Sequence, residues 1–334
     1  MIPFPRHREA ARRAAARLAL VLLLAAALAP PLAAQRALNG RVVQGGRGVA
    51  GVRVQLHRVT RDTRGQIDSA VSGPGGRFSV ALPPVDTAAG FTVFFATAIS
   101  GGVRYFGPAV HPDDPGGAYD IVVYDTSSSA ALADSVRVVR RDVFLVRNLD
   151  GTMEVGELVR LRNTAARTLV PDAKPIVSLP LPPGAEAFEA GEGDRADSVK
   201  TGDGGMVRMG DRAWLTQPLI PGERELVFRY RLPPGVKRMP VALGRTTDTL
   251  NVYVRQPAPD VKARGLGQGT DFVAEGVKFT RYAATGLRAD ASSGLDWRGP
   301  DPPPVDPRWA ALAIAAAILG GGALLSARRR RAAG

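Results

Sequence analysis

Imidazoles and carboxylates are the side chains here that could do chemistry, and they are sparsely placed. The chain has three histidines and no cysteine, which excludes thiolate catalysis, Cys-ligated zinc and disulfide support. His7 sits in a basic leader. His57 falls at an outward position of an alternating strand, where it is expected to be solvated. His111 precedes Asp113 and Asp114, the one place where a base meets paired carboxylates. Two close carboxylates can separate in pKa and a histidine can ligate a metal. The surrounding Pro112, Pro115, Gly116 and Gly117 read instead as an exposed loop between strands. Asp150-Gly151 lies between two β-rich runs and lacks further ligands at calcium-loop spacing, so it reads as a hairpin turn. Gly265-Leu266-Gly267-Gln268-Gly269 fails the dinucleotide spacing and no helix follows it. Walker, nucleophile-elbow and HExxH motifs are missing. No catalytic residue, metal or cofactor is expected.

The elements that would position such groups are strands and turns. The 38 glycines and 27 prolines suit a fold with many tight turns. In the stretch 37–126, Val52, Val54 and Leu56 share one face, as do Phe78, Val80 and Leu82. Residues 60–66 read as a polar loop. The apolar run 91–99 reads as a central strand buried on both faces, and 103–106 with 119–124 would finish the sheet. Gly40-Arg41-Val42-Val43, the segment from Gly48 to Leu56, and Gly75-Gly76-Arg77-Phe78-Ser79-Val80 together resemble the carboxypeptidase regulatory-like domain. That family is a transthyretin-like β-sandwich, also grouped with carbohydrate-binding-like folds. The resemblance covers about 90 residues and implies a module that accompanies other domains, sometimes binding sugars or proteins, with no catalytic residue to carry over. Sugar stacking would need exposed aromatics. Tyr105, Phe106 and Tyr119 are the candidates.

Residues 134–298 read as a second antiparallel sandwich, immunoglobulin-like in the broad sense. Strands are expected at 136–146, 153–161, 177–183, 212–216, 223–232 and 250–254. A closing hairpin is expected from 272–282 and 286–295, and whether 258–298 form a separate small subdomain stays open. The expected fold class is therefore all-β: two antiparallel β-sandwich domains in tandem, with an N-terminal signal helix and one C-terminal transmembrane helix.

Both ends carry apolar runs. A basic start and the run 18–28 have signal-peptide proportions, being too short to span a bilayer, and cleavage is expected after Ala34. A Pro-rich linker at 299–308 leads into the uncharged segment 309–327. Trp309 stands at its start, where an interfacial aromatic belt would lie, and Arg328, Arg329, Arg330 and Arg331 open the tail 328–334. Positive-inside topology then makes this a single-pass protein of the cytoplasmic membrane. Residues 35–308 face the periplasm or cell surface, and the tail is cytoplasmic. A proline stretch, short apolar helix and arginine cluster is also the layout of tails removed by sortase-like enzymes, although LPxTG and PEP motifs are absent. The formal charge of +13 concentrates in leader and tail, so it reports topology, and nucleic-acid binding is not expected. The lipid bilayer is the expected partner, with other envelope proteins or glycans as further partners. The alternative functions are a carbohydrate-binding module, an accessory subunit of a membrane complex, and a hydrolase with an unrecognised site.

Overall fold

The computed structural model describes residues 36–84, 90–112, 117–172, 175–191, 205–258 and 260–298. They are mostly β, arranged in several sheets. Two compact units result: residues up to 98 together with 105–122, and residues 99–104 together with those from 123 onward. Among the described residues no helix is long and apolar enough to cross a membrane. Ala34, Trp309 and Arg328 to Arg331 lie outside the described residues, as do Asp113 and Asp114.

The strands up to residue 122, all in the first unit save residues 99–104, are β1 (Ala37–Gln44), β2 (Arg47–Gly48), β3 (Arg53–Thr60), β4 (Arg64–Val71), β5 (Arg77–Ala81), β6 (Thr92–Ser100), β7 (Val103–Phe106) and β8 (Asp120–Val122). One sheet runs β2-β1-β5 with β8 parallel to β1, and the other runs β4-β3-β6-β7. The alternation in β3 and β5 holds: Val54, Leu56, Phe78 and Val80 are buried. The run in β6 is buried on both faces, with Phe94, Ala96 and Ala98 on one side and Phe95 and Thr97 on the other. Two expectations fail. Residues 64–66 are not loop but the start of β4, an exposed and polar edge strand whose pattern resembles a loop's. Residues 120–122 do not extend the sheet of β7. They pair with β1 instead, where Arg41 reaches the directly opposed Asp120 with two hydrogen bonds of 3.1 and 2.9 Å.

Tyr119 ties the two sheets of this unit together. Its hydroxyl accepts from the Ala96 N–H at 2.7 Å and donates to the Pro108 carbonyl at 2.9 Å, while its own carbonyl accepts from Arg41 N–H at 2.8 Å. Its ring meets Phe78 edge-on at 6.2 Å. Asp68 adds a second tie, its carboxylate on β4 accepting from the Ala81 N–H of β5 at 3.1 Å.

The second unit contains β9 (Thr126–Ser127), β10 (Val136–Arg147), β11 (Met153–Asn163), β12 (Thr168–Leu169), β13 (Ser178–Pro180), β14 (Glu186–Gly191), β15 (Met206–Met209) and β16 (Arg212–Leu215). It continues with β17 (Gly222–Leu232), β18 (Arg238–Pro240), β19 (Thr247–Arg255), β20 (Asp260–Arg264), β21 (Thr270–Ala274), β22 (Val277–Leu287) and β23 (Gly294–Arg298). The main sheet has seven strands in the order β14-β17-β11-β10-β19-β22-β21. Two three-stranded sheets, β13-β16-β15 and β18-β23-β20, contribute Leu179, Leu215, Met239 and Leu295 to one core with Val143, Val159, Phe228 and Val252 of the main sheet. The expected closing hairpin is displaced. It runs from β21 to β22 through Glu275-Gly276, both at positive φ (49° and 78°), while β23 leaves the main sheet to sit between β18 and β20. Strands β20 to β23 thus belong to the second unit.

A glycine requirement in the first unit is testable. Gly76 has φ of 74°, and a Cβ there would lie 2.3 Å from the Val42 carbonyl oxygen. Gly45 has φ of 54° with open space around it. Gly76→Ala is expected to lower stability in denaturant by at least about 2 kcal/mol, and Gly45→Ala by about 1 kcal/mol. Equal losses would show that backbone strain, not close approach, sets the need for glycine at 76.

Candidate interaction face of the seven-stranded sheet

The β10–β11 hairpin opens on the Asp150-Gly151 turn, as its residue types predict. Asp150 Oδ1 accepts from Thr152 N–H at 2.9 Å and from its hydroxyl at 2.6 Å, which stabilises the turn. Farther along, the register between β10 and β11 shifts between Val138 and Arg140. The extra residue, Val139, is a bulge that reverses the alternation. Beyond it Arg141, Val143 and Leu145 point to the core, and Arg140, Asp142 and Phe144 point outward.

Arg141 therefore enters the core, where it is 2% exposed. Its Nε and Nη2 donate to Glu157 Oε2 and Oε1 at 2.7 and 3.0 Å, and its Nη1 donates to the Ala242 carbonyl at 2.7 Å. Tyr230 O–H donates to Glu157 Oε1 at 2.8 Å. Glu157 and Tyr230 are both 0% exposed. Burial opposes the Arg141 charge, but Glu157 more than offsets this and raises its pKa. Burial, then the Glu157 charge, pushes the Tyr230 phenol well above its usual value. The network joins β10, β11 and β17. It is sealed from solvent, so it positions strands and cannot meet a substrate.

The opposite face of the same sheet is polar and open over much of its area. Cross-strand ion pairs cover it: Glu189 with Arg229, Glu154 with Arg231, Glu225 with Arg160, and Glu223 with Arg162. Arg140 Nε lies 2.6 Å from Asp142 Oδ2, Asn251 Nδ2 donates to Asp142 Oδ1 at 2.6 Å, and Arg281 donates to Asn251 Oδ1 at 3.0 and 2.8 Å. Asp142 is 4% and Asn251 1% exposed, so this chain is shielded and worth more than the solvent-screened pairs beside it. An aromatic row crosses the same face. Phe144 stacks on Tyr253 at 4.6 Å, Tyr253 meets Phe272 edge-on at 5.7 Å, and Phe272 stacks on Phe279 at 5.6 Å. Phe272 ends the row on edge strand β21, 36% exposed, beside Val273 at 67%.

The sequence-derived candidates take other places. His57 is not solvated but 6% exposed, because Phe95 on the neighbouring strand stacks over it at 5.0 Å and Thr97 Oγ1 lies 3.2 Å from its Nε2. Tyr105 and Tyr119 are buried, and Phe106 packs at 6.0 Å from Phe95, so these three form no sugar-stacking surface. His111 is exposed in a loop, and the five glycine-rich residues from 265 are a loop between β20 and β21. Among the described residues no three histidine or carboxylate groups converge as a metal site. A recess between Arg147, Met153, Pro233, Lys237 and Trp297 measures about 10 Å³, room for one water. Sequence reasoning missed the buried triad and the aromatic row. The bulge at Val139 decides both, and no local signal marks it.

No family model matches the chain, and no curated protein matches it. Among solved structures, a mutant two-domain M1 zinc metallopeptidase bound to L-tryptophan is similar at 15% identity. It matches 49% of this chain and 43% of that one, with a TM-score of 0.30. The M1 zinc metallopeptidase of Deinococcus radiodurans gives 14% identity, 51% and 45% coverage and a TM-score of 0.30. A putative protease from Parabacteroides distasonis ATCC 8503 gives 12% identity, 49% and 40% coverage and the same TM-score. The chain thus spans less than half the length of each, and likeness this slight transfers neither fold nor activity.

Two outcomes follow for the polar groups. Arg141→Met strands a buried carboxylate and is expected to cost about 3–5 kcal/mol in denaturant unfolding, most of which returns in the variant combining Arg141→Met, Glu157→Leu and Tyr230→Phe. A triple variant no more stable than the single one would show that the network supplies more than charge compensation. Burial raises the Tyr119 pKa to about 12, against the opposing pull of the Ala96 N–H. The raised value favours the protonated phenol in the folded state. Its contribution is therefore intact below the unfolded value of 10.0 and lost as pH climbs from there through about 12. Between pH 9 and 11.5, taken on either side of that unfolded value, the wild type should lose more stability than Tyr119→Phe, as measured by the denaturant midpoint.

Proposed function

We propose that this chain is a non-catalytic, membrane-anchored envelope protein whose two β-sandwich domains in tandem form an extracytoplasmic binding or scaffolding surface. The observation that carries the reading is the outer face of the seven-stranded sheet. It is stiffened by the Arg140–Asp142–Asn251–Arg281 chain and ends at the sheet edge in the exposed Phe272. A surface held in one shape before binding loses little entropy on docking a partner. The first unit is read as the carboxypeptidase regulatory-like module, supported by Gly76 where the backbone approach admits no side chain. The anchor reading rests on the uncharged segment from Trp309 and the four arginines after it.

The test is extraction and protection. The intact protein should stay with membranes in alkaline carbonate, and protease added to spheroplasts should degrade residues 35–308 while sparing the tail. Replacing Arg328 to Arg331 with glutamine should loosen membrane retention. Release by carbonate, or a protected ectodomain, would overturn the topology.

A further inference from the structure

The two edges of the seven-stranded sheet are built differently. Edge strand β14 is interrupted by a register shift between Glu186 and Glu189, with Ala187 at a φ of 49°. Its bulge and glutamates are devices that block pairing with another strand. Edge strand β21 has no bulge and a single charged residue, Asp271. It pairs with β22 over five consecutive residues without a break, contains neither lysine nor proline, and exposes Phe272 and Val273. Among the described residues no strand occupies its outer side.

Hairpin geometry tells which backbone groups that side presents. The two-residue turn Glu275-Gly276 closes on Ala274 and Val277, and such a closing pair is hydrogen-bonded. Alternation then turns the N–H and C=O of Ala274, Phe272 and Thr270 toward β22 and those of Asp271 and Val273 outward. Among the described residues these four backbone groups therefore have no strand partner along the edge.

We propose that β21 pairs antiparallel with β21 of a second copy of this chain, about a two-fold axis through Phe272, joining the two seven-stranded sheets into one. A two-fold perpendicular to the sheet keeps each face on its own side, so the axis must pass through a residue position. Centring on Asp271 sets Asp271 against its own copy. Centring on Val273 sets Asp271 against Glu275. Like charges directly opposite are destabilising. Of these three centres, which alone keep the pairing within the strand's outward residues, only Phe272 avoids acid against acid. It places Asp271 opposite Val273 and Thr270 opposite Ala274, and the four outward groups satisfy one another. Asp271 keeps its own cation in this register, because Lys278 Nζ holds it at 2.8 Å from the neighbouring strand of the same copy. The two Phe272 rings meet at a non-hydrogen-bonded position, where side chains approach most closely, and the aromatic row runs from one sheet into the other. This inference goes beyond the function proposed above and does not depend on the anchor.

The absence of cysteine makes the test clean. In the full-length chain with detergent present, Thr270→Cys combined with Ala274→Cys should form a crosslinked dimer under mild oxidation. The opposed Cα atoms would stand about 4.5 Å apart, within disulfide reach. Thr270→Cys alone should stay uncrosslinked, its two copies lying about 14 Å apart along the strands. Adding Val273→Pro removes an outward N–H without touching the β22 ladder, and should lower crosslinking by about fivefold or more. Equal crosslinking of the single and paired cysteine variants would show random collision and overturn the proposal. Sedimentation of the unmodified chain gives an independent reading: a dimer mass supports the pairing, and a single-copy mass at the highest attainable concentration overturns it.

Discussion

The second unit depends on the Arg141–Glu157–Tyr230 network. Burying a guanidinium and a carboxylate is costly unless every polar atom finds a partner. Here the two-point pairing, the Ala242 carbonyl and the Tyr230 hydroxyl meet that requirement. Sliding β10 against β11, or β11 against β17, would leave a buried charge unpaired. A two-residue slip keeps every side chain on its own face, so apolar burial alone opposes it less than a buried charge pair does. The network thus fixes one alignment of three central strands, and every pairing farther out inherits it.

The outer face follows from the same alignment. With Arg141 turned inward, Arg140 and Asp142 must turn outward, beside Asn251 and Arg281. Phe144 then falls against Tyr253, and the aromatic row runs to Phe272 at the edge. One bulged residue therefore decides both what seals the core and what the sheet shows to its surroundings. In the first unit Tyr119 has the corresponding role, its phenol bonded to Ala96 of β6 and its carbonyl to Arg41 of β1.

Much of the fold was legible in the sequence. Alternation in β3, β5 and β17, the apolar run of β6 and the Asp150-Gly151 turn are local signals, readable because side-chain direction in a strand has a period of two. What failed shares a cause. Strand β4 is polar and lies at an edge, so its composition resembles a loop. His57 alternates outward as expected, yet aromatic neighbours on that face cover it. Of the residues considered for sugar binding, Tyr119 is inward because its hydroxyl has backbone partners inside, which offsets the burial of a polar ring.

The sequence by itself determined the strand-rich character, the turns that require glycine and the scarcity of groups able to do chemistry. These depend on residue type and short-range periodicity. Only the tertiary structure decided that Arg141 is interior and Arg140 exterior, that β23 leaves the main sheet, and that one sheet edge is blocked while the other is open. Those outcomes turn on bulges and on pairing between distant strands, where a shift of a single residue exchanges the two faces of a strand.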